Sequence, residues 1–341
     1  MTLVRLIAEA GVNHNGDLEL AKALILAARD SGADAVKFQS FKAIELASAD
    51  SELASYQSSA LGGSKYRNQL EMLSGLELGI DQLVILKEYS TSIGLEFFVS
   101  AFSATGIREV LTYLELPLIK IPSGEINNEE LIRAAASSGV ELIISTGMST
   151  LPEIERAVEW VRSERVGTEN LTVMQCTTSY PTNLAEVNLL AMVQIKEELG
   201  VEVGFSDHTE GSIAALGAVA LGAASVEKHL TLSKDMEGPD HKASLEPHEF
   251  GDFCSQIHEM VVALGQSEKT PTSSELSNLV VVRKSPFAIS RINPGELFSR
   301  KNVALKRPQN GLDASLFLPL MGRPSKRVYE PGDPILGEEL G

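Results

Sequence analysis

Two histidines, two lysines and a scatter of carboxylates and hydroxyls carry the chemistry this chain can do. His208, in Gly-Phe-Ser-Asp-His-Thr, and His229, in Val-Glu-Lys-His-Leu-Thr, each lie at or just past the end of a short apolar run. Two imidazoles on neighbouring strand ends can meet on one divalent ion and leave coordination positions open for substrate oxygens; a structural role for each ring is the alternative. Asp207 and Glu227 stand beside them as groups that could fix the ring tautomers. Lys37 and Lys120 end two other apolar runs. With the hydroxyls of Ser100, Ser123, Thr178 and Ser206 they would cradle a phosphate or carboxylate, the lysines as point charges and the hydroxyls as donors. Alternatively each lysine pairs with a carboxylate such as Glu9 or Glu125, or one of them is a Schiff-base nucleophile activated by its cationic neighbour. Glu125 follows Gly124 and could orient a ligand hydroxyl or act as a general base. Asp240, in Gly238-Pro-Asp-His241, and the Asn13-His14-Asn15-Gly16 turn fit either a functional part or ordinary turn chemistry.

One architecture would bring these residues together. Eight short apolar segments, Arg5–Glu9, Ala35–Lys37, Phe97–Ser100, Leu118–Ser123, Leu142–Thr146, Thr172–Thr177, Val203–Ser206 and Ser225–His229, alternate with sequence of helical period. That order predicts a (β/α)8 TIM barrel, in which every strand aims its C-terminal end at one shared face. Asp17 to Ser31 is typical of the helices, with apolar residues at Leu18, Leu20, Ala21, Leu24, Ile25 and Ala28. Phe41 to Gly75 is too long for an ordinary βα loop and is expected to shape the pocket. Residues 1–264 are read as the barrel, 265–277 as a linker without apolar periodicity, and 278–341 as a small β-rich module. From Leu279 onward that module carries ten Lys or Arg against six Asp or Glu, and it has apolar runs at Val280–Val282, Phe287–Ile289 and Arg327–Tyr329.

The net charge of −17 argues against a general nucleic-acid or anionic-membrane binder, so an anionic substrate must meet a local basic pocket. Two cysteines, Cys176 and Cys254, leave no disulfide framework and suggest a reducing, cytoplasmic setting; Cys176 is read as a small core residue. Met1 to Gly16 does not have the pattern of a signal peptide, and no apolar run approaches the roughly 20 residues of a membrane helix.

Several ordered motifs, Ile7-Ala-Glu-Ala-Gly-Val-Asn-His-Asn-Gly16, Ala35-Val-Lys-Phe-Gln39, Lys120-Ile-Pro-Ser-Gly-Glu125, Ile144-Ser-Thr-Gly-Met148, Ser179-Tyr-Pro-Thr182, Ser206-Asp-His-Thr209, Glu227-Lys-His-Leu-Thr231 and Gly238-to-Pro247, resemble the sialic acid synthase family. Asn302 to Gly311, with Lys306-Arg307-Pro308, resembles that family's antifreeze-like (SAF) domain. The resemblance covers nearly the whole chain. It implies a transferase that condenses phosphoenolpyruvate with an open-chain N-acetylated amino sugar, giving a nine-carbon 2-keto acid and phosphate by C–O cleavage. N-acetylmannosamine, yielding N-acetylneuraminate, is the expected acceptor; the alternative is a 2,4-diacetamido-trideoxy hexose, yielding legionaminic or pseudaminic acid. The Gly238–Pro247 stretch favours the sialic or legionaminic type, and the discriminating contacts are expected within Phe41–Gly75 and around Tyr180. The resemblance further implies His208 and His229 as ligands of a divalent metal, manganese first and magnesium or cobalt as alternatives, with Glu9 nearby. Lys37, Ser100, Lys120, Ser123, Thr178 and Ser206 would hold phosphoenolpyruvate, and Glu125, Tyr180 and Asp240 would contact the sugar, Glu125 also serving as base. It implies a domain-swapped homodimer in which Arg307 enters the partner's site. Gln309 and Ala101 depart from the family pattern, standing where a glycine and a residue of a Thr-Pro-Phe turn are expected.

Overall fold

The structure, a computed structural model, describes residues 4–53, 66–165, 167 and 170–340. Part of the expected Phe41–Gly75 insertion, residues 54–65, therefore lies outside the described residues. The chain divides into two compact units, Met1–Gly265 and Gln266–Gly341.

In the first unit β1 (Arg5–Gly11), β2 (Ala35–Ser40), β3 (Glu96–Ala101), β4 (Leu118–Ile121), β5 (Glu141–Ser145), β6 (Leu171–Cys176), β7 (Glu202–Asp207) and β8 (Ser225–His229) pair in parallel and in chain order. β1 also pairs with β8, which closes the barrel. All eight expected strands are present. The helices between them form for the reasons their sequences suggest. In Leu18–Asp30, Asp17 Oδ1 accepts from the backbone N–H of Glu19 and Leu20 at 2.7 and 3.0 Å, while Ala21, Leu24, Ile25 and Ala28 turn inward.

Strand alternation sorts the barrel interior into layers. Ile7, Ala35, Phe98, Leu118, Ile143 and Met174 form an apolar cluster of their own, separate from the strand–helix core. Two residues further along the same strands stand Glu9, Lys37, Ser100, Lys120, Ser145 and Cys176, joined on β7 and β8 by Ser206 and Glu227. An apolar plug thus underlies a polar layer. The described parts of the insertion add two short helices, Ala43–Leu46 and Gln69–Ser74, with a separate apolar cluster that includes Val12, Phe41, Met72, Leu73 and Leu76.

The second unit has a small core of Ala288, Ile292, Phe298, Val303, Leu312, Phe317, Leu320, Tyr329 and Ile335. Its sheet is two-stranded and antiparallel, β9 (Ser285–Ala288) with β10 (Val303–Lys306). Here the sequence reading needs correction. Residues 265–277 are not all linker, because a helix runs from Ser273 to Val282, and Val280–Val282 form its last turn instead of a strand. A capping box decides this: the Glu275 carboxylate accepts from Thr272 N–H at 2.8 Å, and Thr272 Oγ1 accepts from Glu275 N–H at 3.3 Å. Arg307 follows β10 and is exposed. Gln309 is anchored locally, its N–H donating to Val280 O and its side chain to Asp313, each at 2.8 Å. Among the described residues no helix is long and apolar enough to cross a membrane.

Candidate active site

A cavity of about 430 Å³ opens at the C-terminal ends of the strands. Glu9, Lys37, Ser100, Lys120, Ser123, Glu125, Thr178, Tyr180, Ser206, His208, His229 and Asp240 all line it. Arg307 lies in the second unit. Thr177 does not line the cavity; its hydroxyl donates to Glu186 O and its carbonyl holds His208.

Four charged groups of the polar layer form a buried chain. Lys37 Nζ is 2.6 Å from Glu9 and 3.6 Å from Glu227, and Lys120 Nζ is 2.5 Å from the other oxygen of Glu227. Lys37 also donates to Ser100 Oγ at 2.9 Å, and Ser206 Oγ donates to Glu227 at 3.0 Å. Burial works against every charge here, and the pairing decides which groups win. Lys37, between two carboxylates, stays above the usual lysine range despite its burial. Lys120, desolvated and beside Lys37 with one close carboxylate, falls below it. Burial and Glu227 push Glu9 up, although Lys37 opposes them, whereas the two lysines hold the buried Glu227 well below the usual carboxylate range. The lysines thus take carboxylate partners as one sequence reading allowed, yet the partner of Lys120 is Glu227 and not Glu125. Glu125 instead accepts from Asn128 Nδ2 at 2.8 Å, and Asn128 caps the helix Glu129–Ser137.

The two imidazoles lie with ring centroids 5.5 Å apart, and the Tyr180 ring sits 4.2 Å from His208 and edge-on, 5.7 Å from His229. His208 Nδ1 donates to Thr177 O at 2.7 Å, which fixes the tautomer and leaves Nε2 with a lone pair. Burial lowers His208 to about 4 and, together with His208, takes His229 well below the usual histidine range, so both rings are neutral at pH 7. His229 Nδ1 is buried without a hydrogen-bond partner. His208 Nε2 faces Ser206 Oγ at 3.4 Å, a hydroxyl that already donates to Glu227, so two neutral imidazoles with weakly used or unpartnered nitrogens fit a divalent cation. Among the described residues no group of three or more His, Cys, Asp or Glu side chains is arranged to hold one. Neither Asp207 nor Glu227 bonds an imidazole, contrary to the sequence reading. Asp207 faces out of the barrel, where Lys228 Nζ lies 3.0 Å from it and Thr209 donates twice to it at 2.8 Å.

Residues the sequence reading passed over complete the site. Gln39 Nε2 donates to Glu9 at 3.1 Å, and period two from Lys37 could have found it. Cys176 is buried as expected, yet it borders the cavity with its Sγ 3.2 Å from Ser123 Oγ. Gly147 N–H donates to Ser123 Oγ at 2.9 Å, and a Cβ there would run into Thr178 Oγ1 and lie 3.0 Å from Ser123 Oγ. The loop bearing Asp240 is tied to the Asn13–Gly16 turn: Asn13 Nδ2 bonds Leu230 O and Ser244 Oγ, both at 2.9 Å, and Asn15 Nδ2 donates to Glu237 O at 2.9 Å. Buried and close to Glu9, Asp240 is pushed up to about 7.

A closed parallel barrel with an apolar plug, a polar floor and two metal-competent imidazoles at its C-terminal mouth is the build of a barrel enzyme. A family model described as the NeuB family matches residues 24–269. N,N'-diacetyllegionaminic acid synthase of Campylobacter jejuni is 43% identical over 97% of this chain and 98% of its own length. The synthase of the same name from Legionella pneumophila is 39% identical over 98% of this chain and 94% of its own. The crystal structure of N-acetylneuraminic acid synthetase from Leptospira borgpetersenii, in complex with citrate, superimposes with a TM-score of 0.70 at 31% identity, covering 81% of this chain and 90% of that one. The chain belongs to the NeuB family, and with it to the phosphoenolpyruvate-dependent condensing transferases that make nonulosonic acids.

Proposed function

We propose that the acceptor is the open-chain form of a 2,4-diacetamido-trideoxy hexose, making this a legionaminic-type synthase and not, as the sequence motifs first suggested, one for N-acetylmannosamine. Two relatives of legionaminic type at 43% and 39% identity support this acceptor. The observation that carries the chemistry is the single cavity holding Lys37, Lys120, Ser100, Ser123, Thr178 and Ser206 together with His208 and His229.

In this reading the two ammonium groups and the hydroxyls bind the carboxylate and phosphate of phosphoenolpyruvate on the barrel floor. A divalent ion, manganese by resemblance, would be held by His208 and His229 near Glu9 and would polarise the sugar aldehyde. C3 of phosphoenolpyruvate forms the new carbon–carbon bond to that aldehyde carbon, the C=O π pair moves to the aldehyde oxygen, which takes up a proton, and C2 is left as an oxocarbenium ion. Glu125 takes a proton from the water that adds to C2, and the C2–O bond then breaks to release phosphate. Tyr180 and Asp240 contact the sugar. The ion pairs of Lys37 with Glu9 and Glu227, which hold it above the usual lysine range, count against a Schiff base on that amine. A homodimer with Arg307 reaching the partner's sugar site belongs to the same proposal, and light scattering with Arg307→Ala kinetics tests it.

The test is turnover of purified protein with phosphoenolpyruvate, manganese and each acceptor, following phosphate and 2-keto acid. Chelator-sensitive phosphate release that favours the diacetamido sugar is expected. Preference for N-acetylmannosamine overturns the acceptor; borohydride trapping of a substrate adduct on Lys37 or Lys120 overturns the mechanism.

A further inference from the structure

The cavity is polar where the strands end and apolar above one sector. The loops after β1, β2 and β3 contribute Val12, Leu46, Met72, Leu73, Leu76 and Phe102 to its lining. These side chains pack as one surface: all six belong to the insertion's apolar cluster, and Phe41 meets the Phe102 ring edge-on at 5.9 Å. Val12, Met72, Leu73 and Leu76 are buried, while Leu46 and Phe102 are half-buried and line the cavity. Gln69, in the first turn of the helix Gln69–Ser74, is the one polar residue that the described part of the insertion adds to the lining.

This wall stands in the loop layer, beyond the strand ends that carry Glu9, Lys37, Lys120 and His229. With its aldehyde carbon by the imidazoles at the strand ends, an open-chain hexose has the filled apolar plug below it and open cavity only outward, so its far end, C6, extends into the loop layer. An apolar wall there rewards a methyl group with lost water contact and leaves a hydroxyl without a partner. Resting on the acceptor reading above, we infer that Leu46 and Phe102, backed by Met72, form a methyl-recognition surface that makes the enzyme selective for acceptors deoxygenated at C6. The described parts of the loops after β2 and β3, which carry Leu46, Met72 and Phe102, are then the specificity element, separate from the barrel floor that handles phosphoenolpyruvate.

A matched pair of acceptors isolates the effect: 2,4-diacetamido-2,4,6-trideoxymannose and its 6-hydroxy counterpart, identical at every other carbon. Wild-type enzyme is expected to favour the 6-deoxy sugar by about 10- to 100-fold in kcat/KM, the range open to a pocket that discriminates a methyl from its hydroxylated analogue. Leu46→Asn keeps the side-chain size and supplies hydrogen-bonding groups, and Phe102→Tyr keeps the ring and adds a hydroxyl. Each is expected to cut the ratio about fivefold or more by improving the 6-hydroxy sugar, with the KM for phosphoenolpyruvate and the melting temperature as checks on folding. Gain on one substrate cannot come from misfolding. A wild-type ratio near one, a preference for the 6-hydroxy sugar that would assign Gln69 to that hydroxyl, or ratios unmoved in both variants each overturn the inference while leaving the synthase reading intact. Absence of phosphate release with either sugar overturns the acceptor reading itself, and the inference with it.

Discussion

Glu227→Gln preserves shape and removes the charge that two buried lysines share. In the native protein one oxygen of Glu227 is 2.5 Å from Lys120 and accepts from Ser206 at 3.0 Å, while the other is 3.6 Å from Lys37. Removing one member of a buried pair costs about 3–5 kcal/mol, because the partner's charge is left desolvated. That penalty corresponds to about 2–4 pKa units. Lys120, already drawn down by burial and by Lys37, is the group that relieves it by releasing its proton. In the variant the folded protein then binds fewer protons than the unfolded chain between the lowered pKa of Lys120 and an ordinary lysine value of about 10.4. Stability accordingly rises with pH across that window, by up to about 1.4 kcal/mol per pH unit. Urea unfolding of both proteins at pH 7 and pH 9 reads this directly. The variant should be less stable than wild type by about 3–5 kcal/mol at pH 7, with roughly 2 kcal/mol recovered at pH 9. A loss below about 1 kcal/mol at pH 7, or the same loss at both pH values, would refute the reasoning, since Lys120 would then not depend on Glu227 for its charge.

Glu125→Gln should lower kcat by about 10²- to 10⁴-fold with little change in the KM for phosphoenolpyruvate, as measured by phosphate release; near-wild-type turnover would remove Glu125 as base. Gly147→Ala forces a Cβ against Thr178 and Ser123, so phosphoenolpyruvate affinity by calorimetry should fall about tenfold or more with the sugar KM less affected. Asp240→Asn tests the raised carboxyl. A folded pKa near 7 against an unfolded value near 4 means that the native state binds more protons in that window, so Asp240 reduces stability as pH rises from 4 to 7. The variant's gain in melting temperature over wild type should therefore grow from pH 4 to pH 7 and level off above, and a pH-independent difference would contradict the burial of that charge.

The barrel was legible because each strand is a short apolar run whose last residues turn polar, and only an interior opening at one end demands that. His208, His229, Lys37 and Lys120 stand out for the same reason. What the sequence reading lost came from treating chain neighbours as spatial neighbours. Asp207 and Glu227 each adjoin a histidine, yet alternation sends Asp207 outward to Lys228 and Glu227 inward to the lysines. The period-two pattern of Ser225, Glu227 and His229 carried that information. Gln39 was missed although it follows Lys37 at the same spacing. No comparable local signal announces that Thr177 holds His208 by its carbonyl, because a backbone acceptor is the same in every residue. In the second unit a capping box at Thr272 and Glu275 outweighed the β-branched run Val280–Val282.

At the ends of β7 and β8 the inward residues Ser206, His208, Glu227 and His229 interleave with the outward Asp207–Lys228 clasp, which also ties Lys228 to the carbonyls of Thr209 and Gly211. Every position there has an assigned side of the barrel wall. A single-residue insertion or deletion in either segment would reverse the assignment, swinging the clasp into the cavity and the imidazoles into the packing against the helices. A substitution in these two segments disturbs one position, whereas a change in length displaces them all, so descendants of this chain are free to vary in length in the loops and not at these strand ends.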